Sequence, residues 1–275
     1  MAKEHLYFIA GMVAVLLPLA AVYSVKKFHP FDERPDARIP YATVDGRSMD
    51  LHHFKAHGAG GPAPALLLFH GGRWLFGGPE SLYPQCQYFA RLGYQCFSAR
   101  YRLGSRNQPD VRGAVADARA AMDYLQTHAT ELHLDPQRLF VGGSSSGGHL
   151  AAALGTGLPG GDGARPAALV LYNPMLDLSP GTPDGHLVAD YWQEVSPHHH
   201  IDASLPPSLV LVGDEDPEVP LTTVDAFCSA AHAAGARCET AVYPGASHGF
   251  FHYGRGRNPL FEQTGERIGD FLDSL

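Results

Sequence analysis

Gly143-Ser144-Ser145-Ser146-Gly147 is a stretch whose residue types and spacing could carry out nucleophilic chemistry. It fits G-x-S-x-G, in which a serine sits on a sharp strand-to-helix turn and presents its Oγ above a sheet. A short apolar run, Leu139 to Val141, leads into it, and Ala-rich helical sequence starts at Gly147. The flanking residues must be small because the strained turn brings the helix backbone close to the strand. In a chain with 31 glycines the pattern alone carries little weight, so its context decides. The glycine spacing singles out Ser145 from its serine neighbours Ser144 and Ser146.

A serine hydroxyl is a weak nucleophile near neutral pH, so it needs a base, and the base needs an orienting acid. On such an elbow the acid and then the histidine follow the serine in the chain. Ser208 to Val212 is an apolar run that opens into a loop with four carboxylates, Asp214, Glu215, Asp216 and Glu218. Glu239 to Tyr243 is another strand-like run, opening into a loop where His248 stands between Ser247 and Gly249. With 16 histidines in the chain, the position of His248 is what marks it. Both loops follow the C-terminal ends of expected strands, where open α/β sheets place their ligands. A fourth piece, Ala65 to Phe69 followed by His70-Gly71-Gly72-Arg73-Trp74, is a buried strand ending in a Gly-rich turn. Attack on a carbonyl puts negative charge on oxygen, and each preorganised N–H aimed there is worth about 3–4 kcal/mol. The amides of Gly72, Arg73 and Ser146 are the candidate donors.

Elements that could hold these pieces are legible in the periodicity. Residues 39–44 and 49–54 bracket Asp45-Gly46, a hairpin signal. Further strands are predicted near 65–70, 94–99, 138–142, 168–173, 208–213 and 239–244. Helices are predicted near 80–92, 111–132, 147–157, 220–235 and 260–274. Asp110 is a candidate N-cap for the second helix, and Gly93 a stop for the first. Strands alternating with helices imply an α/β fold with a mostly parallel sheet of about eight strands, helices on both faces and an N-terminal hairpin. At 275 residues and 45% hydrophobic, the chain can bury one large core.

With these residues in view, the chain resembles the α/β-hydrolase superfamily, and more narrowly a bacterial acetyl-esterase and feruloyl-esterase-like branch related to hormone-sensitive lipases. The resemblance is carried by His70-Gly-Gly-Arg-Trp74, Gly93-Tyr94, Ala99-Arg-Tyr-Arg-Leu103, and the elbow ending Gly147-Gly-His-Leu-Ala151. Asn173-Pro174, Gly213 to Pro220 and Ser247-His-Gly-Phe250 complete it, over roughly residues 39 to 275. It implies that Asp216 is the orienting acid among the four carboxylates. It also implies a serine carboxylic-ester hydrolase with Ser145 as nucleophile, His248 as base and no cofactor or metal. Two departures stand out: Arg73 occupies a position where many relatives have a third glycine, and Ser144 precedes the nucleophile in place of the usual residue. A peptidase of the prolyl-oligopeptidase type shares the triad order, although the chain carries no propeller. A non-catalytic binding protein of this fold would require a broken triad.

Substrate features are less directly written. No long apolar insertion resembles a lipase lid, so a short acyl chain is expected, on an acylated sugar or a small aryl ester. Residues 178–207, rich in Pro, His and Gly, are expected to hang over the Ser145 end of the sheet and help form the pocket. Trp74 and Trp192 are candidate pocket walls, with buried aromatic packing as the better default. His198-His199-His200 is not read as a metal site, since adjacent residues do not easily converge on one ion. A net charge of −8 and the lack of a basic stripe exclude a nucleic-acid partner.

Leu6 to Val25 is a near-continuous apolar run long enough to span a membrane as a helix. Residues 1–28 are read as an uncleaved anchor or a signal peptide, and 29–275 as the hydrolase domain; contact with a membrane is expected through the first segment only. Lys26 and Lys27 would hold the domain on the cytoplasmic side by the positive-inside rule, whereas the resemblance implies export. Cys86, Cys96, Cys228 and Cys238 form two pairs, each running from a helix to the next strand. Buried free thiols are expected, with two local disulfides open in an oxidising compartment.

Overall fold

The computed structural model describes residue 31 and residues 34–105, 108–158, 160, 163–254 and 259–275. The proposed anchor at 1–28 lies outside the described residues. Residues Pro35–Leu275 form one compact unit.

Eight strands make a single sheet in the order β1-β2-β4-β3-β5-β6-β7-β8. They are β1 Ala37–Val44, β2 Arg47–Phe54, β3 Ala63–Phe69, β4 Gln95–Ala99, β5 Leu134–Ser144, β6 Ala168–Tyr172, β7 Ser208–Gly213 and β8 Cys238–Tyr243. β1 and β2 pair antiparallel, as do β2 and β4, and every remaining pairing is parallel. Asp45 and Gly46, both at positive φ (49° and 73°), make the tight turn between β1 and β2.

The helices are α1 Tyr83–Arg91, α2 Val111–Thr127, α3 Ser146–Gly155, α4 Trp192–Val195, α5 Leu221–Ala233 and α6 Pro259–Asp273. The central strands are apolar along their whole length because both faces are covered. Leu67, Phe69, Val141 and Leu171 point to one face, where they pack with α2, α3 and α5. Leu66, Leu68, Phe140 and Val170 point to the other, with Phe89 of α1 and Ile268 and Phe271 of α6. The side chain of Asp110 accepts from the Gly113 amide at 2.9 Å and caps α2. That helix ends at Thr127, short of the expected 132. Thr127 Oγ1 donates to the Asp123 carbonyl, and the His128 ring bonds the Tyr124 carbonyl, so side chains serve the last turn and close it.

Two sequence expectations need correction. The cysteines are disulfide-bonded, Cys86 to Cys96 and Cys228 to Cys238, rather than free. Each helix packs so that its cysteine lies beside the start of the next strand, with Cα atoms 5.1 and 5.2 Å apart, within disulfide reach. The segment 178–207 is also less irregular than its composition implies. It holds α4 and two short 3₁₀ helices, Gly185–Val188 and Pro197–His200.

Candidate active site

Every candidate residue lies beyond the carboxyl end of a parallel strand. β3 leads to the His70–Trp74 turn, β5 to Ser145, β6 to Asn173, β7 to Asp216 and β8 to His248. This is the sheet edge where doubly covered parallel sheets bind ligands.

Ser145 is the hinge between β5 and α3, with φ 54° and ψ −118°. Its amide donates to the Tyr172 carbonyl at 2.9 Å, and its carbonyl accepts from His149 N at 3.0 Å, so both sides of the hinge are tied down. Gly143 and Gly147 permit the crossing. A Cβ on Gly147 would stand 2.0 Å from the Phe69 carbonyl oxygen, and one on Gly143 would stand 2.4 Å from the Gly147 oxygen. Among the three serines, Ser146 is fully buried, whereas Ser144 and Ser145 both border a cleft of about 250 Å³. Of those two, Ser145 alone has positive φ.

His248 borders the same cleft. Its Nδ1 donates to Asp216 Oδ2 at 2.8 Å, leaving Nε2 on the far side of the ring. The Asp216 side chain is wholly buried, yet its oxygens are well served. Asn173 Nδ2 donates to Oδ2, and the amides of Glu218 and Val219 donate to Oδ1 at 2.8 and 3.0 Å. Burial by itself would push this carboxyl up. The hydrogen bonds from His248, Asn173 and the Glu218 amide prevail and hold it below the usual carboxylate range, so it stays charged.

The turn after β3 lies against the elbow: a Cβ on Gly71 would meet Ser145 Cβ at 3.3 Å. Gly72 (φ 130°) closes a tight loop in which Leu75 N and Phe76 N donate to its carbonyl at 2.9 and 3.1 Å. Arg73 and Trp74 continue at φ 52° and 58°, an uncommon region for residues with side chains. His70 stacks on Tyr101 with ring centres 4.3 Å apart, and the Tyr101 hydroxyl donates to the His70 carbonyl at 2.8 Å.

Some expected pocket residues stand elsewhere. Trp74 is fully buried behind the turn, its ring edge-on to His149 at 5.0 Å, and Trp192 packs on the core beside His199. Neither borders the cleft: Trp74 is buried against His149, and Trp192 lies on the core. The 178–207 segment does not line this cleft but an adjoining cavity of about 20 Å³, through Leu178, Pro183 and Asp184, the last lying 3.6 Å from the Arg73 guanidinium. The cleft wall is made instead by Phe76, which is 63% exposed, and by Phe251, His252 and Glu218. Asp184 carried no sequence signal of its own, Glu218 stood only among the four rival acids, and Asn173 was marked only by Asn173-Pro174 following a strand. Of the three consecutive histidines, His199 pairs with Asp177 at 3.2 Å and His200 with the Gln193 carbonyl.

Residues 66–195 match the profile of the alpha/beta hydrolase fold family. An esterase from the planctomycete Thermogutta terrifontis, solved with propionate bound, is 37% identical. That alignment covers 86% of this chain and 93% of the esterase, with a TM-score of 0.78. The apo form of Thermogutta terrifontis esterase 2 superposes with a TM-score of 0.81 at 35% identity, covering 90% and 97% of the two chains. Esterase LipQ of Mycobacterium tuberculosis is 27% identical over 85% of this chain. The acetylxylan esterase of Xylanibacter ruminicola is 24% identical over 74% of it. The chain spans 61% and 44% of the lengths of those two curated relatives. Together with the sheet order and the strand-end site, these matches establish that the chain belongs to the α/β-hydrolase fold family.

Proposed function

We propose that this protein is a carboxylic-ester hydrolase working through a Ser145–His248–Asp216 triad and an acyl-enzyme. The observation that carries the reading is the His248–Asp216 hydrogen bond at the edge of the cleft that Ser145 borders. In this reading Ser145 Oγ attacks the ester carbonyl carbon as its proton passes to His248 Nε2. The amides of Gly72, Arg73 and Ser146 hold the oxyanion. The C–O bond to the alcohol then breaks, and His248 returns the proton to the departing oxygen. Water attacks the acyl-serine by the same route and releases the acid. Buried and charged, Asp216 fixes the ring and balances the imidazolium.

A short acyl group, acetyl first, fits the space beside Ser145. Beside the cleft, and sharing Glu218 with it, lies a cavity of about 20 Å³ bordered by Pro174, Met175, Leu176 and Val219. That is room for one methyl-sized or water-sized group. The ester is then an acylated sugar or a small aryl ester. The two disulfides support a location outside the cytoplasm, where such bonds persist; there the apolar run at 6–25 would serve for export or as an anchor.

Labelling the full chain with a fluorophosphonate, mapping the adduct, and assaying p-nitrophenyl esters from acetyl to octanoyl beside a prolyl amide tests the reading. It expects an adduct on Ser145 and turnover falling steeply beyond short acyl chains. An adduct on Ser144 or Ser146 would sink the nucleophile assignment, and preferred amide turnover would make the protein a peptidase. Intact mass with and without reduction and alkylation, on protein from the native envelope and cytosol fractions, tests the location.

A further inference from the structure

The side chain of Arg73 is left unused by the hydrolytic steps. Its amide belongs to the proposed oxyanion donors, yet its guanidinium faces two carboxylates from two other segments. It lies 3.6 Å from Asp184 Oδ1 and 3.5 Å from Glu218 Oε2. Asp184 comes from the 178–207 segment; its side chain is only 3% exposed, and no hydrogen bond reaches Oδ1. Glu218 stands two residues past Asp216 and gives its own amide to Asp216 Oδ1 at 2.8 Å.

The backbone of the turn needs such a hold. Consecutive residues with side chains at φ 52° and 58° persist only where the surroundings over-determine them. Trp74 is pinned by complete burial. Arg73, 41% exposed, has no comparable packing, and its two carboxylates supply the restraint. Both contacts come from one terminal nitrogen, Nη2, at ion-pair distance, so the charge of Arg73 is shared between the two carboxylates.

We propose that Arg73 is a positioning residue: gripped between Asp184 and Glu218, its guanidinium locks the oxyanion turn to the loop that carries Asp216, and turnover depends on that grip. The proposal rests on the ester-hydrolase reading. It also means that the charge of Arg73 is committed within the protein and is not a receptor for a substrate carboxylate.

Steady-state kinetics on the full chain test it, using Arg73→Ala, Arg73→Lys and the double variant Arg73→Ala/Asp184→Asn. Two substrates are compared, a neutral acetyl ester and a hemisuccinate ester with a free carboxylate, with Tm measured alongside. Misplacing a reacting group by about 1 Å can cost about 100-fold. Arg73→Ala is therefore expected to lower kcat about 10- to 100-fold on both esters while KM moves less than about threefold. Arg73→Lys should fall between it and the wild type. The double variant removes the buried carboxylate left without its cation, so Tm should recover while kcat does not. An active wild type with unchanged kcat in Arg73→Ala would overturn the grip. So would a KM increase confined to the hemisuccinate, or a kcat that recovers together with Tm. An inactive wild type would remove the hydrolase reading itself, and the grip with it.

Discussion

Ser145 and Asn173 sit on neighbouring strand ends and make opposite demands on their side chains. Ser145 must leave its Oγ toward the cleft, whereas Asn173 turns inward and spends its amide on Asp216. Ser145→Ala is expected to lower ester turnover by roughly 10³-fold or more with little change in fold, read as kcat beside a circular dichroism melt. Asn173→Ala removes a hydrogen bond to a buried charge, worth about 1.5–3 kcal/mol. It should cut kcat/KM by roughly 10- to 100-fold and let the Asp216 carboxyl climb, read as a higher midpoint in an NMR pH titration of that carboxyl. An unshifted midpoint would mean that Asn173 does not hold the charge. At this scale the sequence spoke unevenly. Ser145 and His248 were legible because a glycine pattern and a loop position mark them. Asp216 emerged from four rivals only through resemblance to a family. Asn173, Asp184 and Glu218 act by meeting residues 43, 111 and 145 positions away in Asp216 and Arg73, and no local spacing encodes such meetings.

Among the elements, the crossing of β5 and α3 is the least forgiving. Gly147→Ala would drive a methyl into the Phe69 carbonyl, and neither the strand nor the helix can yield without moving Ser145. A loss of about 3 kcal/mol in denaturant unfolding, with turnover lost more than stability, is expected. The disulfides are the other element-level device. Cys228→Ser with Cys238→Ser opens a bond closing a short loop and should cost about 2–3 kcal/mol. Strand and helix positions were readable from apolar runs, since buried parallel strands leave little else in their sequence. The pairing of cysteines was not. It depends on how each helix leans on its neighbouring strand, and periodicity fixes only which face is apolar.

For the whole molecule, buried neutral histidines set the response to acid. Burial pulls His70 and His149 down to about 4, against the upward pull of the hydrogen bonds to the Gly71 and Val195 carbonyls. The unfolded chain therefore takes up protons that the folded one refuses. Stability is fully present above the unfolded value near 6.5 and falls as pH drops toward 4, by about 1.4 kcal/mol per pH unit for each histidine. Urea unfolding at pH 7.5, 6 and 5 reads that slope, and His149→Gln should flatten it by one histidine's share; a slope unchanged in the variant would clear His149.

The strand order has a further consequence for how the molecule wears out. His248 is delivered by β8, which among the described residues has a neighbour on one side only, while Ser145 comes from β5, held on both. The Cys228–Cys238 bond fastens the start of that outermost strand to α5. Under a mild reductant or on ageing, the proton carrier should drift before the nucleophile does, giving a protein still folded by calorimetry that turns over slowly.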